Sequence, residues 1–123
     1  MDKFIIETHK YPTITNRFIL KVSPDYWDRE SDTNKIHSFS WEYAHCETGP
    51  AYISSNIFNN VERIRSKHWL INGLRHREDG PAIICYNASG GVVLEAYYIS
   101  NKHIGTNLNL YTKESIMNYS ILK

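Results

Sequence analysis

A seven-residue phrase occurs twice in this chain, and it limits the possible folds more than any other feature. His45-Cys46-Glu47-Thr48-Gly49-Pro50-Ala51 and His76-Arg77-Glu78-Asp79-Gly80-Pro81-Ala82 agree at His, Glu, Gly, Pro and Ala, and they lie 31 residues apart without a gap. A glycine before proline is pushed out of the helical region, and the proline has no N–H to give to a ladder. Each phrase therefore reads as a turn leading into the first residue of a strand. An apolar strand start follows each one, Tyr52-Ile53 or Ile83-Ile84. A polar loop comes next, and then an aromatic-led strand, Trp69-Leu70-Ile71 or Tyr97-Tyr98-Ile99. Self-similarity of this kind marks a stack of like supersecondary units.

Asn72-Gly73 separates Trp69-Leu70-Ile71 from Leu74-Arg75-His76. Asn-Gly supplies the two positive-φ positions of a type I′ turn, so this segment predicts a tight hairpin. Ser100-Asn101 takes the corresponding place after Tyr97-Tyr98-Ile99. Strands are predicted over 82–86 and 92–99, joined by Asn87-Ala88-Ser89-Gly90-Gly91, with a longer loop over 54–62.

The unit formed by Trp69, Asn72-Gly73 and His76-Arg77-Glu78-Asp79-Gly80-Pro81-Ala82 resembles the MORN-like repeats of bacteriophage and large-virus proteins. Residues 69–82 carry the full phrase, 45–53 a worn copy, and 97–105 a truncated one ending His103-Ile104-Gly105. The resemblance covers the middle half of the chain and none of residues 1–36. It implies a β-hairpin meander and a viral origin, and it implies no reaction.

With 123 residues the chain is read as one domain, 1–123, able to bury a proper core. Its parts are N-terminal strands and a polar loop (1–36), hairpin repeats (37–105), and a connector with a C-terminal helix (106–123). Alternation predicts strands over 3–9, 17–22 and 36–44. Phe18, Leu20 and Val22 share one face of the second strand, and Phe39, Trp41 and Tyr43 form an aromatic stripe on the third. No basic residues interleave with that stripe, so it reads as core and not as a base-stacking platform. Thr112 and Glu114 suit the start of a short helix reaching Leu122, with Ile116 and Tyr119 on one face. The predicted fold class is mainly β: an antiparallel hairpin meander of about six to eight strands with one short C-terminal α-helix.

Formal net charge is +1, which suits neither a protein that holds nucleic acid over its whole surface nor an acidic mimic of it. The N-terminal segment does not read as a signal peptide, and no stretch has the length of a membrane span. The expected setting is the host cytoplasm, with no membrane partner. Cys46 and Cys85 are too few for a disulfide scaffold and are expected to be reduced thiols.

His76, Glu78 and Asp79 have the residue types of a metal or acid/base site, and Arg77 could hold a phosphate. Partial recurrence of the phrase favours a structural role instead. On that reading Asp79 fixes the turn, Arg77 pairs with an acid on the neighbouring hairpin, and His76 donates to a backbone carbonyl. The six histidines show no metal-ligand spacing, and no cofactor or metal is expected. Candidate binding residues are the loop aromatics Tyr26 and Trp27, the apolar pair Ile57 and Phe58, and the bases Arg63, Arg65, Lys67, Arg75 and Arg77. The bases are expected on two adjacent strands of the Asn-Gly hairpin, with Arg63, Arg65 and Lys67 on one face.

The leading expectation is a non-enzymatic viral accessory protein, fitting a phage protein that inhibits a host defence system in the manner of an anti-CRISPR. Its partner would be a host protein or ribonucleoprotein complex. The alternatives are a nucleic-acid or nucleotide binder using the basic segment 63–77, and a metal-dependent phosphodiester hydrolase at His76, Glu78 and Asp79.

Overall fold

The computed structural model describes residues 3–22 and 43–121. These form nine strands and one helix: β1 (Lys3–Lys10), β2 (Ile14–Val22), β3 (Tyr52–Phe58), β4 (Val61–His68), β5 (Leu70–Ile71), β6 (Leu74–Arg75), β7 (Ile83–Tyr86), β8 (Val92–Ile99), β9 (Lys102–Thr106) and α1 (Lys113–Ile121). Seven strands make one antiparallel sheet in the order β1-β2-β3-β4-β7-β8-β9. The fold is mainly β with one short C-terminal helix, and each strand of the sheet neighbours the one before it in sequence. The exception is the pair β5–β6, which leaves the sheet between β4 and β7 as its own two-stranded ladder.

The alternation of β2 sets the first core. Phe18, Leu20 and Val22 are buried on one face and join Ala44, Ala51 and Leu70. Phe18 stacks on Tyr52 of β3 with ring centroids 4.6 Å apart. A second core lies at the other end of the sheet, where Tyr97, Ile104 and Ile116 are almost fully buried among Ile99, Leu108, Leu110 and Tyr119. Burying side chains of this size contributes roughly 1.5–3 kcal/mol each. A nine-residue helix is marginal alone, so α1 depends on that packing. Thr112 Oγ1 accepts the Ser115 N–H at 3.2 Å and caps its N-terminus, with Glu114 in the first turn. Ile116 and Tyr119 sit on the packed face as the sequence suggests, while Leu122 lies outside the described residues.

Both turns of the repeat are type I′-like. Asn72 and Gly73 have φ of 49° and 80°, and Ser100 and Asn101 have 47° and 69°. The backbone bonds coincide as well: Cys46 N–H donates to Leu70 O and Arg77 N–H to Tyr98 O, while Ala51 N–H donates to His68 O and Ala82 N–H to Ala96 O. The same frame reaches back into β2, which lies outside the repeated sequence. Ile19 N–H donates to Ala51 O and Ile19 O accepts the His45 N–H, as Trp69 N–H donates to Ala82 O and Trp69 O accepts the His76 N–H. β2 is thus the strand on which the first phrase is built.

One sequence expectation needs correction, and another falls mostly outside the described residues. Residues 54–62 are not a loop. Tyr52–Phe58 and Val61–His68 are paired strands joined by Asn59-Asn60, whose φ values are 51° and 62°. Asparagine tolerates the left-handed region, so Asn-Asn closes a two-residue hairpin without glycine. Of the strand expected over 36–44, residues 36–42, with Phe39 and Trp41, lie outside the described residues. Tyr43 is exposed, and Ala44 is buried in a bridge to Leu20.

Candidate functional site

The repeated histidine is a latch. His45 Nδ1 accepts the Asn72 N–H at 2.9 Å, and His76 Nδ1 accepts the Ser100 N–H at 2.9 Å. Each ring thus holds the first residue of the next positive-φ turn. In the neutral ring this leaves the proton on Nε2, which faces Glu47 at 3.4 Å in one copy and Glu78 at 3.7 Å in the other. The expectation that His76 donates to a carbonyl is therefore wrong, because its Nδ1 is an acceptor.

Arg77 is similarly occupied. Its guanidinium lies over the Trp69 ring at 4.0 Å, its Nε donates to Asp79 Oδ1 at 3.0 Å, and NH1 donates to Pro81 O at 3.1 Å. The acid it meets is two residues along its own turn, not on a neighbouring hairpin as expected. Gly80 gives the guanidinium its place, since a Cβ there would fall 2.7 Å from Arg77 Cζ. Glu78 also has Lys113 Nζ at 3.6 Å. These residues border a groove of about 730 Å³ between the two phrases. Its charges are answered from within, and no three His, Cys, Asp or Glu side chains converge on a metal-sized space among the described residues.

The bases of segment 63–77 do not form one patch. The Asn-Gly hairpin contains only Leu70–Ile71 and Leu74–Arg75, whereas β4 pairs with β3 and β7. Arg75 lies near the Tyr98 ring at 5.8 Å, and Arg77 belongs to the turn just described. Within β4 the expected single basic face is broken by a bulge. Ser54 pairs with Ser66 and Ser55 with Ile64, so Arg65 is the extra residue. Paired residues share a face. Ile64 and Lys67 therefore lie on one side of the strand and Arg63 on the other, with Arg65 at the bulge. Lys67 Nζ lies over the Tyr86 ring, 5.8 Å from its centroid.

What the structure does bring together is Ile57, Phe58, Arg63 and Arg65. They line a cleft of about 610 Å³ at the tip of the β3–β4 hairpin, with Val61, Ile64 and Tyr86 and the β7–β8 loop. Phe58 is 75% exposed, and Val61 and Ile64 are exposed beside it. Arg63 NH1 reaches across to Ala88 O at 3.2 Å. The far wall is preset by Asn87, whose Oδ1 accepts the N–H groups of Ser89 and Gly91 at 3.0 and 2.9 Å. Glu62, the acid adjacent in sequence, is turned away. It forms a fork with Arg17 at 2.6 and 3.1 Å, which holds its carboxyl below the usual range and raises the guanidinium. Arg63 and Arg65 have no acidic partner among the described residues.

Sequence reasoning missed Val61, Ile64 and Tyr86. The only hint was that Val61 and Ile64 follow Phe58 closely in a segment otherwise polar. Tyr26 and Trp27 lie outside the described residues. No helix among the described residues is long and apolar enough to cross a membrane. The chain matches no family model, no curated protein and no solved structure in comparisons with each.

Proposed function

We propose that this chain is a non-enzymatic binding protein that docks a partner protein through the cleft at the β3–β4 tip. In the viral setting implied by the repeat resemblance, it acts by covering the surface of a host protein or ribonucleoprotein, as a phage inhibitor of a host defence system does. One observation carries the reading. Phe58 and Val61 are exposed on the Arg63 face of the hairpin and Ile64 on the other, and all line one cleft with two arginines that nothing acidic answers among the described residues. Interfaces of this kind combine an apolar centre with arginine at its edge.

Nucleic-acid binding fits less well, because the split of segment 63–77 leaves two arginines at the cleft. Two phosphate contacts would give a salt slope of only about −1.4 on a single strand, too shallow for a main source of affinity. A hydrolase at His76, Glu78 and Asp79 has little support: His76 spends Nδ1 on a backbone N–H, and Asp79 is bonded to Arg77.

The test is recovery of the protein with its partners from host extract, with and without nuclease, beside Phe58→Asp. A protein partner that survives nuclease and is lost with Phe58→Asp supports the reading. A partner retained by that variant removes the tip from the account, and recovery that disappears with nuclease moves the site to nucleic acid.

A further inference from the structure

β4 is paired unequally on its two sides. Toward β3 the ladder runs from Val61 to His68. Toward β7 it includes only Ser66, Lys67 and His68. Among the described residues, then, Val61–Arg65 presents an unladdered edge, and that edge is one wall of the cleft. The bulge at Arg65 marks where the β4–β7 ladder stops, as bulges do when they add twist and end a pairing. The β7–β8 hairpin carries a bulge of its own between Cys85 and Tyr86, at the point where the β4–β7 ladder ends with Ser66 and Cys85. What joins them beyond that point is a side-chain bond from Arg63 to Ala88 O, not a ladder.

Resting on the reading of the cleft as a protein-docking site, we propose that the partner enters it as an extended acidic segment, which adds as a strand to the edge of β4 over Val61–Arg65. Alternate residues of an antiparallel strand turn their N–H and C=O toward one neighbour, so two or three residues of this stretch offer backbone groups to the cleft. A partner that covered them without bonding them would leave buried polar groups unmet, whereas an added strand satisfies them. Arg63 and Arg65 flank the edge with positive charge, and Glu62, committed to Arg17, does not offset it. Two copies meeting edge to edge would bring four arginines together, so the charge disfavours a second copy and favours carboxylates. Ile57 and Ile64, on the face opposite Arg63, provide apolar ground for the side chains between the acids, while Phe58 and Val61 border the acids on the Arg63 face. The wall held by Asn87 lowers the ordering cost of binding.

The experiment pans displayed random peptides of about 12 residues, long enough to cover one strand edge, against the whole protein and against the double variant R63E/R65E. Enriched peptides are then synthesised, and their binding is measured along with amide exchange of the protein. The expected result is peptides in which Asp or Glu alternates with apolar residues. Their affinity falls roughly tenfold or more in the double variant, and they slow amide exchange over Val61–Arg65. Both arginines are exposed, and an unchanged melting temperature of the double variant establishes that the loss is local. Peptides that bind without protecting those amides overturn strand addition and leave the docking reading standing. If no peptide is enriched against the wild-type cleft over the double variant, the proposal also fails. Tight binding of a labelled thymidine oligonucleotide that displaces the peptides would replace the acidic segment with a nucleic acid.

Discussion

His45 Nδ1 accepts a hydrogen bond from the backbone N–H of Asn72, 27 residues away, and the ring that does so is 2% exposed. His76 repeats the arrangement with Ser100 but remains 22% exposed. The histidine of the repeated phrase therefore serves the backbone of the following hairpin, and its recurrence needs no chemistry to explain it. Loss of the ring should cost more where water cannot replace it. His45→Ala leaves a buried acceptor position empty and a donor unmet, a cost on the order of 2–3 kcal/mol, and His76→Ala about 1 kcal/mol. Urea unfolding of the two variants tests this. Equal losses would mean that burial does not set the strength of the latch.

Gly80 and Arg77 are coupled by space. A methyl group at position 80 meets the Arg77 guanidinium, which must then leave the Trp69 ring and Asp79. Gly80→Ala should destabilise the protein by about 1 kcal/mol, the scale of one partly exposed cation–π contact with its hydrogen bond. In an Arg77→Ala background the same change should be close to neutral. A double-mutant cycle measures the difference. Additive effects would show that Gly80 is required by the backbone and not by its neighbour.

His68 should make stability depend on pH. Burial, reinforced by Arg75, pushes its pKa down to about 4 from 6.5. Its ring sits 4.9 Å from that of Tyr52, with Ser66 Oγ at 3.3 Å. The unfolded chain takes up the proton below 6.5, while the folded chain resists until about 4. The unfolded state thus binds more protons in that window, so stability falls as pH drops through it and is unaffected by this group above it. The upper bound is roughly 3 kcal/mol, lowered by the part of the ring that water reaches. Subtracting the unfolding free energies of His68→Phe from those of the wild type, from pH 7.5 to 4, isolates the contribution. A flat difference would contradict it.

The parts of this fold that could be read from sequence are those fixed by local backbone constraint. Asn72-Gly73 forces its turn, Gly80-Pro81 starts its strand, and Thr112 caps its helix. Ile57 and Phe58 were recognisable as apolar residues in a polar stretch, although that stretch proved to be a hairpin. Features that depend on pairing partners were not legible. The bulge at Arg65 exists only in the register of β4 against β3, and it decides which face each arginine takes. The likeness of β2 to the later units is carried by backbone bonds of Ile19, which leave no trace in side-chain identity. Among the described residues the edge of β4 is unladdered over Val61–Arg65 because the four-residue β7 pairs only with Ser66–His68, a property of two segments that neither shows alone.

The turn at Asn59-Asn60 offers a last test, and it bears directly on the cleft. Both residues sit at positive φ, 51° and 62°, where asparagine is tolerated and glycine has no steric penalty. Asn60→Gly should keep the two-residue turn and stabilise the protein by a few tenths of a kcal/mol, up to about 0.5, because the steric cost at that position disappears while glycine's extra entropy loss offsets part of the gain. Asn60→Val places a β-branched residue in the left-handed region and should cost about 1–2 kcal/mol. Because Phe58 and Val61 flank the turn and pair across it, a strained turn should also disturb the cleft, whereas the glycine variant should leave it intact. Thermal melts rank the three proteins, and fluorescence quenching of a probe bound at the cleft reports its shape. If the valine variant melts with the wild type, the turn is not the type I′ hairpin that sets the register of β3 on β4.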